Sequence, residues 1–406
     1  MAQPSSKSRR HVWLLVLTAV TSYPHIMANT EFAKNLDTFS RNVYSELVQL
    51  NQNTNIIFSP FSIQTCAAMV RIGAEGETAT EMDVGLKLVS SDVKEIADTY
   101  GQVMADYEKS KVLKIANKVY IKEGYSAREE FKNILTRKFL SKPENINFVQ
   151  SSVAASTINA WVESKTNNLI KDLISPDVLN ADTRLVLINA IHFKGQWKTK
   201  FDEANTEDED FYLNDVDKVK MPMMNVRHDF RFAELPEYDA QALEMPYKDS
   251  DLSMLVILPN KKTGLLSLEQ KLKTVKLSDI TSKLSSTKVI VKFPKFKAEF
   301  SQELTPVFKK LGMVRLFADN AEFGNILQSP EALKVSQIIH KAFIDVNEEG
   351  TEAAAATGIA LENRMIFEEK YMRFIANRPF QYTIFDRQNG AHFFKGLLSN
   401  SVETNT

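Results

Sequence analysis

The sequence predicts an α+β protein, and three observations carry that prediction. Apolar residues recur at helical spacing through Phe32, Leu36, Phe39, Val43, Leu47 and Val48. Val112 to Ile121 and Val291 to Phe300 instead alternate with the period of a strand. Near the C-terminal end, two apolar strand-like runs, FIANRPFQYTIF and HFFKGLLSNS, flank Asn389-Gly390, a strong hairpin signal. The 406 residues carry a net charge of −1, with 44% hydrophobic and 25% charged residues, an ordinary globular balance. Such a balance shows neither disorder nor a nucleic-acid footprint. Length alone predicts two or three domains, yet Pro and Gly are scattered and no linker or repeat interrupts the chain.

Taken in order, the chain opens as a secretory leader. Lys7, Arg9 and Arg10 form a basic end, Val12 to Val20 an apolar run, and small residues follow. Cleavage after Ser22 or Ala28 is expected, leaving residues 1–28 as a signal peptide and 29–406 as the secreted domain. The apolar run is too short to span a membrane. Asn29 to Leu50 is the first helix of that domain. In NIIFSPFSIQTCAAMVRIG, Ser59-Pro60 breaks a short strand, and Ser62 opens a helix ending near Gly73. Cys66, the single cysteine, lies in that apolar helix and is expected to be buried. Asp92 to Ser110 reads as an amphipathic helix, and a later helix closes at Gly312. Val186 to Phe201 opens as an apolar strand interrupted by Asn189, an amide that needs partners or costs about 1–3 kcal/mol. His340 in VSQIIHKAFIDV poses the same question. A lone histidine in an apolar strand is more often a satisfied structural group than a catalyst.

No Gly-x-Ser-x-Gly, His-Glu-x-x-His, phosphate-cradling glycine loop or metal-ligand cluster is present. His192, His228 and His392 have no catalytic signature beside them. A non-enzyme without cofactor or metal is expected.

The most informative stretch is EEGTEAAAATGIALENRMIFEE, Glu348 to Glu369. Its alanines favour a helix. Yet no residue between Gly350 and Gly358 anchors a helix in a core, and Gly358 would end it after about two turns, too short to stand alone. Read as a strand, Thr351, Ala353, Ala355 and Thr357 share one small face that fits a packed sheet. Glu352, Ala354, Ala356 and Gly358 share the other.

This stretch resembles the hinge and reactive-centre loop of the serpins, a family of serine-protease inhibitors, in wording like that of arthropod members. The hinge is Glu348, Glu349, Gly350, Thr351, Glu352, Ala353, Ala354, Ala355, Ala356 and Thr357. The resemblance continues through NIIFSPFS, VLINAIHFKGQW, LEMPYK, SMLVILPN, VKFPKFK and ADNAEF, nearly everything after the leader. It implies the serpin fold: one large domain with a central, mostly antiparallel sheet, two further sheets, surrounding helices and an exposed loop over about 348–369. It implies a shutter of Ser59, Ser62, Asn189 and His340 beneath strands that must part, with Asn189 paired to His340. It also implies a breach marked by Trp197 and by Lys295, the partner of Glu348.

Counting family positions from Glu348 puts Arg364 before the scissile bond and Met365 after it. Independently, Arg364 is the only basic residue between Glu348 and Glu369. A trypsin-like protease, with a carboxylate in its primary pocket, would bind that guanidinium bidentately. The implied action is that of a monomer that traps such a protease covalently as its cut loop enters the sheet. Gly350 to Arg364 would span about 48 Å as a strand. The alternative is a serpin-fold carrier, storage protein or chaperone; such relatives break the hinge with bulky, charged or proline residues, and this hinge is intact. Glycosaminoglycan-binding serpins cluster basic residues near Lys94, Lys109, Lys111, Lys114 and Lys118, but acids interleave them here, so no such partner is expected.

Overall fold

The computed structural model describes residues 9–400 apart from 53, 109, 111, 330 and 352–370. Its helices are α1 (Arg9–Leu50), α2 (Pro60–Arg71), α3 (Gly76–Leu86), α4 (Val93–Glu108), α5 (Glu129–Lys138), α6 (Ser151–Lys165), α7 (Leu265–Leu272), α8 (Leu277–Thr281) and α9 (Thr305–Lys310). Its strands are β1 (Ile56–Phe58), β2 (Leu113–Lys122), β3 (Glu144–Ile146), β4 (Leu185–Phe193), β5 (Gly195–Gln196), β6 (Glu207–Tyr212), β7 (Lys218–Leu235) and β8 (Ala240–Pro246). They continue with β9 (Leu252–Pro259), β10 (Ser285–Pro294), β11 (Phe296–Glu303), β12 (Val335–Val346), β13 (Gly350–Thr351), β14 (Met372–Ile375), β15 (Phe380–Asp386) and β16 (His392–Leu398). Helix α1 runs unbroken past both candidate cleavage positions, beyond the Asn29 start expected of it. Among the described residues no helix is long and apolar enough to cross a membrane.

The central sheet has the order β3-β2-β4-β12-β13-β5, with β11 along the far side of β12. Every residue of β4 is buried, as expected for a strand covered on both faces. Its side chains alternate between two cores. Leu187 and Ile191 join the core shared with α1 and α2, while Val186, Ile188 and Ala190 join the one beneath α6. Strands β4 and β12 run parallel, from Val335 opposite Leu185 to Phe343 opposite His192. Beyond that ladder they diverge, and β13 sits in the opening, antiparallel to both β12 and β5.

The other strands form one nine-stranded sheet rather than two separate ones. The 18-residue β7 joins its halves, pairing with β6 over 218–223, with β10 over 223–232 and with β8 over 231–235. Pro294 ends β10 in this sheet, and β11 starts at Phe296 in the central one, so Lys295 lies at their junction. The run FIANRPFQYTIF, expected as one strand, is two. Pro379 has no N–H for a ladder; before it β14 pairs parallel with β10, and after it β15 pairs with β9 and β16. Gly390 turns the final hairpin with φ +82°. Cys66 is buried behind β4, its Sγ 3.5 Å from the Ile188 carbonyl, and burial pushes its thiol pKa up.

Candidate functional site

Strand phase puts three polar residues on the α2-facing side of the central sheet. Asn117 on β2, Asn189 on β4 and His340 on β12 are level with one another: Asn189 is opposite Asn117 on one side and His340 on the other. Directly beneath lies the start of α2. Here the structure corrects the sequence reading: Ser59, not Ser62, caps the helix, with its Oγ accepting the Ser62 N–H at 3.1 Å and Pro60 following as the first helical residue. The Ser62 hydroxyl is thereby free to donate to Asn117 Oδ1 at 3.0 Å.

These bonds fix the tautomer of His340 and the orientation of the Asn189 amide. The Ser59 N–H donates to His340 Nε2 at 3.2 Å, so Nε2 carries no proton and Nδ1–H donates to Asn189 Oδ1. The Asn189 amide then donates to Ser62 Oγ at 2.5 Å and to Asn117 Oδ1. Burial with no charged partner pushes the His340 pKa down to about 3, so the ring is neutral at physiological pH. Both ring nitrogens of His340 are thus used in holding β12 to β4 and to the start of α2.

At the divergence of β4 and β12 a second cluster surrounds the hinge. Trp197, 1% exposed, stacks on Tyr247 at 4.6 Å between ring centroids. Its Nε1 donates to the Asn347 carbonyl at 2.9 Å and its backbone N–H to the Glu349 carbonyl at 2.8 Å. The Glu348 carboxylate meets Lys295 Nζ at 2.9 Å and the Thr206 hydroxyl at 2.9 Å. Burial alone would raise its pKa, but the bonds from Lys295, its own backbone and Thr206 outweigh it and hold the acid below its usual value. Glu349 pairs with Lys200. Gly350 crosses so close to β5 that a Cβ there would lie 2.0 Å from the Gly195 carbonyl oxygen, and its φ of +150° also favours glycine. Thr351 follows, wholly buried, its hydroxyl 3.1 Å from that of Tyr247.

Thr351 is therefore already seated in the sheet, whereas a residue awaiting insertion was expected from sequence. The rest of the expected hinge, Glu352, Ala353, Ala354, Ala355, Ala356 and Thr357, lies outside the described residues, as do Arg364 and Met365. So do Lys109 and Lys111; Lys118 is buried against Glu144 and the rings of Tyr120 and Trp161. Sequence reasoning missed Asn117, Tyr247, Lys200 and Asn347. Asn117 carried the same signal as Asn189, a polar residue in phase with Leu113, Val119 and Ile121 on an apolar strand face.

The model of the family described as Serpin (serine protease inhibitor) matches residues 34–401. The chain belongs to the serpin family. Among its relatives, Serine protease inhibitor 42Dd of Drosophila melanogaster is 38% identical over 362 residues, which are 88% of this chain and 95% of that one. Antitrypsin of Bombyx mori is 36% identical over 95% of this serpin and 97% of its own length. A solved structure of cleaved Serpin 42Da, 53% identical, superposes with a TM-score of 0.85 over 93% of this chain and 100% of that one. Human thyroxine-binding globulin, 26% identical, reaches 0.84 over 93% and 100%. The fold is thus shared by proteins named for inhibition and by one named for binding thyroxine, so function rests on the site.

Proposed function

We propose that this serpin is a secreted, monomeric inhibitor of trypsin-like serine proteases, consumed as it acts. The observation that carries this reading is the seating of Gly350 and Thr351 at the mouth of the closed β4–β12 seam. The first residues of an entering strand already lie where such a strand must start, and only small residues follow as far as Gly358 apart from Glu352.

The protease serine attacks the Arg364 carbonyl, the Met365 amine leaves, and an acyl-enzyme remains. The freed segment, from Thr351 onward, then follows Thr351 into the seam as a new strand. Asn189, His340, Ser59 and Ser62 hold the seam shut until then. Trp197 and Lys295 frame its mouth, and Glu348 and Glu349 anchor the hinge by their ion pairs. None of these groups is catalytic; the chemistry is the protease's own. The leader of residues 1–28 directs export, and neither metal, cofactor nor glycosaminoglycan takes part. A carrier role is disfavoured by the unbroken small-residue hinge.

The test is incubation with trypsin, followed by denaturing electrophoresis and mass spectrometry. A complex that survives SDS, together with a released peptide beginning at Met365, is the expected result. Quantitative cleavage without any complex would leave a substrate and defeat the proposal.

A further inference from the structure

A cavity of about 200 Å³ opens beside the central sheet, along the stretch of β2 that precedes its pairing with β3. Met104 of α4, Phe139 just beyond α5 and Trp161 of α6 wall it, and Lys114 and Lys165 also line it. Asn117 lines it as well, and Asn117 is only 5% exposed. Its Oδ1 accepts from Ser62 and Asn189, but its Nδ2 is buried with no hydrogen-bond partner in the protein. Exchanging the two ends of the amide offers no relief, since it would set N–H against the Asn189 N–H. A buried donor left unmade is costly, and this one belongs to a residue on the cavity wall.

The volume exceeds the roughly 150 Å³ of an apolar cavity able to hold benzene. Its lining is aromatic and aliphatic, and Lys165 is exposed with no ion-pair partner among the described residues. An apolar wall, cationic groups and one unmet donor together specify a ligand. We propose that this cavity binds a small apolar carboxylate, of the size of a medium-chain fatty acid. Its body packs on Met104, Phe139 and Trp161, and its oxygens are held by the lysines and by Asn117 Nδ2.

Asn117 gives such a ligand a reach beyond its cavity. Its amide bonds to Asn189, and Asn189 bonds to His340 across the β4–β12 seam. A ligand that holds the Asn117 amide in this orientation favours the closed seam and slows its opening. The binding itself is independent of protease inhibition, whereas its effect on trapping rests on the inhibitory reading above.

The experiment is calorimetric titration of the intact chain with octanoate, with octylamine as the control of opposite charge. Saturable octanoate binding is expected, with none for octylamine. Lys165→Glu, an exposed substitution that leaves the core alone, weakens it about tenfold by reversing the charge. Asn117→Asp, which replaces the donor with an acceptor, abolishes it. Bound octanoate also slows covalent complex formation with trypsin; if binding is seen but the chain traps no protease, the inhibitory reading fails while the site stands. No saturable binding up to millimolar octanoate overturns the proposal and leaves a solvent-filled cavity. Binding that Lys165→Glu leaves unchanged overturns it too, because the ligand then sits elsewhere.

Discussion

Replacing Thr351 by Arg separates recognition of the protease from entry of the strand. In the resting protein Thr351 is wholly buried, with the Tyr247 hydroxyl as its polar neighbour at 3.1 Å. A guanidinium there would be a buried charge without a counter-ion, at several kcal/mol. The resting fold has an escape: β13 is two residues long and can leave the sheet for the loss of two or three hydrogen bonds, about 1–4 kcal/mol in all. Insertion has none, because position 351 must enter before anything that follows it. A penalty of about 4 kcal/mol at that step slows it roughly a thousandfold, and water then reaches the acyl-enzyme first. Thr351→Arg should therefore be cut by trypsin at Arg364 at nearly the parent's rate, yet give little SDS-stable complex. Thr351→Val keeps the shape without the charge and should still trap, with stability lowered by about 1–3 kcal/mol from the unpaired Tyr247 hydroxyl. Efficient trapping by Thr351→Arg would falsify entry of a strand at this point.

Three further outcomes are expected. Arg364→Ala should lose most trypsin inhibition while its thermal unfolding is unchanged, and release of a peptide starting anywhere but Met365 in the parent would move the reactive bond. Asn189→Ala or His340→Ala leaves buried partners unpaired and should destabilise by about 1–3 kcal/mol; native gels after mild heating should show polymers, and unchanged melting with no polymers would remove the pair from the seam's closure. Acid should act through His340. Its folded pKa of about 3 lies below the unfolded value near 6.5, so its contribution is complete above about pH 6.5 and is lost as pH falls toward 3, by roughly 1.4 kcal/mol per unit. Buried His392, whose pKa is also pushed down by burial, adds in the same direction. Denaturant melts at neutral and mildly acidic pH should show the loss, and His340→Gln should lessen it.

What the sequence disclosed follows from how each feature is encoded. Asn189 and His340 stood out because a polar side chain in an apolar strand is a local anomaly, and the structure joins them by a hydrogen bond. The break at Pro294 was not legible: Val291 to Phe300 alternates without interruption and reads as one strand, yet its two halves belong to β10 and β11 in different sheets. The union of the smaller sheets through β7 was not legible, because it depends on which distant strands pair with each part of one long strand. Nor was the early seating of Thr351. Its residues are small enough to lie inside or outside the sheet, and the space that admits them is made by Trp197, Tyr247 and Gly195, more than a hundred positions away.

The parallel pairing of β4 with β12 has a consequence of parity. A strand wedged between two neighbours that point the same way has the same relation to both, so one orientation suits either flank. Between antiparallel neighbours it would have to be parallel to one of them. β13 already runs opposite to β12 and to β5, the continuation of β4, so a chain growing from Thr351 meets two like borders. Its entry would replace one ladder of slanted bonds with two of the straighter antiparallel kind, which are slightly stronger per residue. On the inhibitory reading proposed above, the closed protein would thus hold the weaker of two arrangements open to the same strands, and the inserted one would be the stronger.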